Sequence, residues 1–394
     1  MFRPTAGTRP DAVTVVAHEI GPFGGMEWQL AVLVTGMLER GLEVTSIGRR
    51  IELAPHPGLR VVELSGPRRP FPIAYLWFFV AGTAAVAKYR RGPVYTIGAI
   101  VLNRVTARKV PFCHTAFARS PDRASRASRD SRLFRVNAVI SAAMSRFAER
   151  LVYRPRCTGQ LVAMSTGDAR ELEELFPAIA PVAVIPNGVD TGRFRPDPVS
   201  RHEIRTRLGI APDTLVAVFL GGDWARKGLP QTITALGRAR RWTLLVVGSG
   251  DVAAMTALAG RELAGDRVIF AGRVDDPERF LAAADALAMP SSYEPWGNAM
   301  LEACACGLPV VVAPANGVRD FVVAGESGLF VAPDATSVAQ ALEQLEDEDL
   351  RLTMGRRARE IAAGYSFDHV VDQYVRLLTS TTGSSPTAVR PVAI

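Results

Sequence analysis

Cysteine is scarce in this chain: four residues in 394, at Cys113, Cys157, Cys304 and Cys306, with no C-x-x-C pair. That spacing excludes a disulfide-stapled scaffold and a cysteine zinc site, and it makes a reducing compartment such as the cytoplasm the expected setting. No uninterrupted apolar run reaches the roughly 20 residues needed to cross a bilayer. The longest, Phe71 to Ala87, contains Pro72 and Gly82 and is flanked by Arg68, Arg69, Lys88, Arg90 and Arg91. It is expected to be a buried helix, with an interfacial segment as the alternative. Met1 to Asp11 is polar, with Pro4, Gly7 and Pro10, and is not expected to act as a secretory signal. No nucleic-acid-binding motif accompanies the basic residues, so nucleic acid is not an expected partner.

An apolar fraction of 48% over 394 residues is enough for two domains, each with its own core. Charge divides the chain unevenly. Residues 1–200 hold 27 Lys+Arg against 16 Asp+Glu, while residues 201–394 hold 19 against 23. The basic surplus concentrates where Arg119, Arg123, Arg126, Arg129, Arg132 and Arg135 recur every three or four residues, a spacing that makes one cationic stripe on a helix. Such a stripe is a solvated face or a surface for anionic lipid or an acidic acceptor.

Strand-like and helix-like segments alternate through both halves, as in doubly wound parallel sheets. A first strand, Ala12 to Ala17, is followed by Gly24-Gly25-Met26-Glu27 and a helix from Glu27 to Arg40. Val110-Pro111-Phe112-Cys113-His114 ends a later strand with a histidine, which on its own is better explained by packing than by function. Arg193 to Pro198 reads as a linker, placing a boundary near residue 200. In the second half Leu215 to Leu220 is a strand, followed by a loop ending Arg226-Lys227-Gly228, whose cations suit a diphosphate. Ala284 to Pro290 is a buried strand, and Glu294-Pro295-Trp296-Gly297-Asn298 then turns the chain into a helix carrying Glu302. The first amides of that helix lack intrahelical acceptors and can serve an anion or sugar hydroxyls.

Two other motifs compete. Gly248-Ser249-Gly250-Asp251-Val252-Ala253 fits a dinucleotide fingerprint after a strand, but no acidic residue ends a second strand at the distance a ribose contact needs. Asp347-Glu348-Asp349 spells a D-x-D metal motif but lies in an acidic turn between helices and is expected to be solvated, so no metal is assigned.

Glu294-x7-Glu302 after a strand, with Ala303 and then Gly307-Leu308-Pro309-Val310-Val311, resembles the donor-site signature of retaining glycosyltransferases of family 4. Gly24-Gly25-Met26-Glu27, His114, Lys227-Gly228 and Gly272-Arg273-Val274 match further positions, though Gly222 stands where family members commonly carry an arginine. The resemblance implies a GT-B fold, α/β, with two Rossmann-like doubly wound parallel-sheet domains facing a central cleft. Residues 1–200 would be the acceptor domain, 201–365 the donor domain, 366–378 a helix returning to the first domain, and 379–394 a disordered tail.

The implied reaction moves a hexose-type sugar from a nucleotide diphosphate sugar to a hydroxyl acceptor, with retention and without a metal or other cofactor. His114, Arg226, Lys227 and Glu294 would be catalytic. Gly24, Gly25, Arg226, Lys227, Val274, Gly297, Asn298 and Glu302 would bind the donor, with Arg226 replacing the arginine absent at Gly222. The acceptor is expected to be a membrane-associated glycolipid, a polysaccharide precursor or an anionic small molecule, reached from the cytoplasm or the inner face of the membrane. The alternatives are a GT-B epimerase, for which only His18 and Glu19 are spare acid/base groups, and a noncatalytic nucleotide-sugar or lipid-binding module.

Overall fold

The computed structural model describes residues 11–119 and 132–380. They fall into two compact units. One runs to Gly188 and resumes at Phe367; the other is Val189–Ser366.

The first unit is built on a seven-stranded sheet. Its strands are β1 (Ala12–Val16), β3 (Glu43–Gly48), β5 (Leu59–Glu63), β6 (Val94–Ile97), β7 (Val105–Lys109), β8 (Thr158–Ala163) and β9 (Ala183–Val184), in the order β5-β3-β1-β6-β7-β8-β9. All pairings are parallel, for example Val13 beside Val44 and Val15 beside Tyr95. A two-residue pair, β2 (Glu19–Ile20) with β4 (Arg50–Ile51), extends beyond the ends of β1 and β3. The central strands β1, β3 and β6 are buried on both faces, as a sheet covered by helices on both sides requires. One layer holds α1 (Gly25–Glu39) and the carboxyl-terminal helix Phe367–Thr379, whose Val370, Val371, Tyr374 and Leu378 share a core with Val13, Val15, Leu30, Val34 and Met37. Gly36 permits that packing, because a Cβ there would stand 2.7 Å from Val371 Cγ2. The other layer holds α2 (Phe71–Tyr89), α3 (His114–Phe117) and α4 (Arg132–Val152).

The second unit carries a six-stranded parallel sheet: β10 (Leu215–Leu220), β11 (Trp242–Val247), β12 (Val268–Gly272), β13 (Ala286–Met289), β14 (Val310–Val312) and β15 (Gly328–Phe330), in the order β12-β11-β10-β13-β14-β15. In each unit the chain winds outward to one side, returns to the centre and winds to the other. The direction changes between β1 and β6 in the first sheet and between β10 and β13 in the second. Loops at the carboxyl ends of strands flanking such a switch point diverge, leaving room for a ligand.

Several expectations need correction. The boundary lies at Gly188–Val189, about ten residues before the expected position near residue 200 and ahead of the proline-containing linker. Val189 donates to Tyr365 O at 2.8 Å and bridges to Ser366, so the chain's outward and return crossings run side by side. Helix Pro198–Leu208, capped by Asp197, already belongs to the second unit. The strand expected to end in His114 stops at Lys109, and His114 opens α3. The segment Arg226–Lys227 lies not in open loop but in the helical turn Trp224–Lys227. Helix α2 exists, but its burial is one-sided: Ala74, Tyr75, Phe78, Gly82, Ala85 and Val86 face the core, whereas Phe71, Ile73, Leu76 and Val80 are exposed. Of the arginine stripe, Arg119 follows α3, Arg123, Arg126 and Arg129 lie outside the described residues, and Arg132 and Arg135 fall in α4. The expected tail also lies outside them, apart from its first residues.

Candidate active site

In the second unit the loops after β10 and β13, on either side of the switch point, are stitched together. Ser292 N–H donates to Arg226 O at 2.9 Å, and the Arg226 guanidinium donates to Tyr293 O. Gly228 takes φ +83°, and a Cβ there would lie 2.7 Å from the Pro290 carbonyl oxygen, so only glycine lets the two loops approach this closely. Behind the second loop, Trp296 packs against Phe321 and Tyr365 with ring centroids 5.2 and 5.4 Å away. That cluster fixes the turn in which Gly297, at φ +99°, starts the helix Asn298–Ala305 without a side-chain cap.

These loops bring three of the expected residues to one point. Glu294 is 9% exposed and its carboxylate lies 3.0 Å from Lys227 Nζ and 3.5 Å from Arg226 Nη1, with Ser291 Oγ at 3.4 Å. Arg226 is also held by Asp223 at 2.9 Å. Burial alone would raise the Glu294 pKa, but the Lys227 and Arg226 charges outweigh it and hold the group below its usual range. Glu294 is therefore ionised at neutral pH. Glu302, on the following helix, is governed by the opposite balance. Burial pushes its pKa up to about 7, and Arg193 and Lys227 recover only part of the cost. Arg193 is itself paired to Glu278 at 2.8 Å. Near neutral pH such a carboxyl is only partly ionised, and hydroxyl donors offered by a ligand would favour its charged, better-accepting form.

A Cβ on Gly222, at the position lacking the arginine, would meet nothing closer than Ser249 O at 3.9 Å, and the guanidinium of Arg226 reaches Glu294 from four residues further along. Val274 lies in the loop after β12, at the same carboxyl edge of the sheet. The glycines of the dinucleotide-like motif have local explanations. A Cβ on Gly248 would come within 2.2 Å of Gly221 O, and one on Gly250 within 2.4 Å of the Trp224 ring. They let the β10 and β11 loops pack together. Asp347 of the D-x-D string caps the helix Glu348–Ala363, accepting from Leu350 N–H at 3.0 Å.

In the first unit the corresponding edge carries Gly24, which precedes α1, Gly25, which is its first residue, and His114. His114 is organised by a residue that sequence reading missed, Glu149 of α4. Its buried carboxylate accepts from the His114 N–H at 2.7 Å, the Thr115 N–H at 2.9 Å and the Thr115 hydroxyl at 2.6 Å, and it lies 3.0 Å from His114 Nδ1. That contact leaves the half-exposed ring presenting its Nε2 edge. The available signal was that Glu149 is the only acid in α4, flanked by the buried Ala148 and Val152 on its apolar face. His18 is removed from acid/base service: its ring sits 4.4 Å from Phe78, and burial together with Arg49 lowers its pKa to about 3. Glu19 lies in β2. The epimerase reading thereby loses one of its two candidates.

The family profile described as Glycosyltransferase Family 4 matches residues 23–193, and that described as Glycosyl transferases group 1 matches residues 200–361. A lipopolysaccharide core biosynthesis glycosyltransferase, LpsE of Rhizobium meliloti, is 37% identical over 180 residues, covering 45% of this chain and 53% of that protein. The D-inositol 3-phosphate glycosyltransferase of Actinosynnema mirum is 36% identical over 239 residues, covering 54% of this chain and 55% of that one. The chain thus spans about half the length of these curated relatives. In fold it is similar to WaaG, a glycosyltransferase involved in lipopolysaccharide biosynthesis, with a TM-score of 0.77 at 18% identity over 94% of this chain and 100% of that one. With both profiles matched in order over most of its length, and with the doubly wound sheets they require, the chain belongs to the group 1 glycosyltransferases of family 4, whose fold is GT-B.

Proposed function

We propose that this protein transfers a hexose-type sugar from a nucleotide diphosphate sugar to a hydroxyl acceptor, with retention at the anomeric carbon and without a metal. The observation that carries this reading is the Arg226–Lys227–Glu294 cluster at the switch point of the second sheet, with Glu302 on the helix that follows. Glu302 would accept from the ribose hydroxyls and Glu294 from the sugar hydroxyls. Arg226, Lys227 and the amides at Gly297-Asn298 would face the diphosphate.

As the anomeric C–O bond breaks, its electron pair leaves with the diphosphate, positive charge grows on the sugar, and the two cations offset the new negative charge. The acceptor oxygen bonds to the anomeric carbon on the face being vacated, and its proton passes to the departing phosphate oxygen. His114, steadied by Glu149, would position the sugar through Nε2. Acidic groups at the leaving oxygen are unnecessary in this scheme, which agrees with Glu294 being held ionised.

The acceptor belongs to the phosphate-bearing or glycolipid classes, the support being relatives named for lipopolysaccharide core and inositol phosphate. We read the reaction as cytoplasmic, and the four free, buried cysteines, which fit a reducing compartment, support that reading.

The test is a calorimetric binding screen of nucleotide diphosphates and their sugars, followed by donor hydrolysis assays. One nucleotide series should bind wild type and fail to bind Glu302→Ala, and Glu294→Ala and Lys227→Ala should bind but lose hydrolysis by 100-fold or so. If no nucleotide diphosphate binds, the reading is wrong.

A further inference from the structure

Helix α2 has apolar residues in every direction. A helix of that kind is normally enclosed by protein. Here one face, with Tyr75 and Phe78 at its centre, is sealed into the first unit's core, and the Tyr75 hydroxyl donates to Ala99 O. The opposite face is bare. Ile73, Leu76 and Val80 are 57%, 59% and 63% exposed, and their three- and four-residue spacing lays them in one line. The same line continues through Ala84 and Ala87, both exposed. No Asp or Glu lies between Phe71 and Tyr89.

Both ends of this line are cationic. Arg68 and Arg69 precede the helix and Lys88, Arg90 and Arg91 close it, all exposed, and among the described residues only Arg91 is engaged by an acid, Glu43 at 3.5 Å. Helix α4, which packs beside α2 in the same core, adds exposed Val139 and Phe147 to an otherwise arginine-rich helix.

We propose that the outer face of α2 is a docking surface for an anionic lipid bilayer, on which the helix lies flat. The line of Ile73, Leu76 and Val80 enters the acyl boundary while the arginines and lysine at either end meet phosphate headgroups. The helix does not span, because turning it across a bilayer would pull Tyr75, Phe78 and Val86 out of the core they fill. A second copy of the chain is a poorer occupant. Antiparallel or parallel pairing of two α2 helices sets one cationic end against another, whereas a lipid surface complements both ends at once.

This proposal goes beyond the catalytic reading and can fail independently of it. The purified chain is sedimented with vesicles of phosphatidylcholine alone and of phosphatidylcholine containing phosphatidylglycerol, over a salt series. Binding to the anionic vesicles that weakens with salt is expected, falling about tenfold or more in Leu76→Glu/Val80→Glu. The Arg68→Gln/Arg69→Gln variant should show a shallower salt dependence. Both changes lie on exposed positions, so their melting temperatures and nucleotide binding should match wild type.

Equal partitioning onto neutral and anionic vesicles, or unchanged binding by Leu76→Glu/Val80→Glu, would overturn the proposal. So would a dimer in sedimentation velocity that this variant turns into a monomer, which would make the face a protein interface. Vesicle binding without any nucleotide binding would leave the docking surface standing and remove the transferase reading.

Discussion

A carboxyl group held near pH 7 by burial answers to pH differently from one in water, and Glu302 is such a group. Folded, it keeps its proton up to about pH 7; unfolded, it loses it near 4.5. Between those values the unfolded chain binds fewer protons, so this residue lowers stability as pH rises through the window, and the loss is complete above it. Glu302→Gln is therefore expected to raise the melting temperature at pH 8 and to leave it unchanged at pH 4, as calorimetric scans would reveal. Nucleotide affinity should move the other way. Wild type should bind more tightly as pH rises through 7, because the ionised carboxylate is the better acceptor, and the Gln variant should bind weakly at every pH. Glu149 supplies a second test at this scale. Replacing it by Ala strands the His114 and Thr115 amides in a buried site, at about 1–3 kcal/mol each, and urea denaturation should register the loss. This contact was illegible in the sequence, since nothing local ties a carboxylate in α4 to amides 34 and 35 residues earlier.

Among the elements, those bounded by strong punctuation were readable from the chain. β10 occupies Leu215–Leu220 as its apolar run suggests, and the helix Thr166–Leu175 begins where Ser165 can cap Asp168 N–H. What periodicity does not supply is the identity of the neighbour. The apolar richness of α2 marked it as a helix but could not tell a core face from a bare one, because both faces are apolar. Likewise Arg226 and Lys227 were legible as cations after a strand. Their meeting with Glu294 depends on Gly228, where a Cβ would stand 2.7 Å from Pro290 O and force the two loops apart. Gly228→Ala tests that dependence. A positive φ and a clash with a backbone oxygen together should cost about 2 kcal/mol or more, lowering the melting temperature and weakening nucleotide diphosphate binding.

For the whole molecule, the two units differ in how the chain builds them. The second is one continuous segment, Val189–Ser366, and should fold by itself when expressed alone, with a cooperative melt. The first is discontinuous. Residues up to Gly188 without Phe367–Thr379 would leave Leu30, Val34 and Met37 short of the partners Val371, Tyr374 and Leu378, each of which contributes about 1.5–3 kcal/mol on burial. Arg40 would also lose Asp368 and Asp372, at 3.2 and 2.7 Å. A fragment ending at Gly188 is expected to lack a sharp melt and to regain it when the closing helix is fused to its end; a sharp melt without the helix would refute this. The sequence suggested that the last helix returns to the first unit, but the prolines misplaced the crossing, because the feature that fixes it is the pairing of Val189 with Ser366, far apart in the chain.

The same discontinuity sets a timetable for biosynthesis. A ribosome translates the first unit's sheet, then makes the entire second unit, and releases the helix that covers the first sheet only after it. Throughout that interval the surface of α1 that will receive Val371 and Tyr374 is uncovered on the nascent chain. Of the two units, the one whose translation starts earlier is thus the one completed later, and its uncovered surface is where ribosome-associated chaperones would find a binding site.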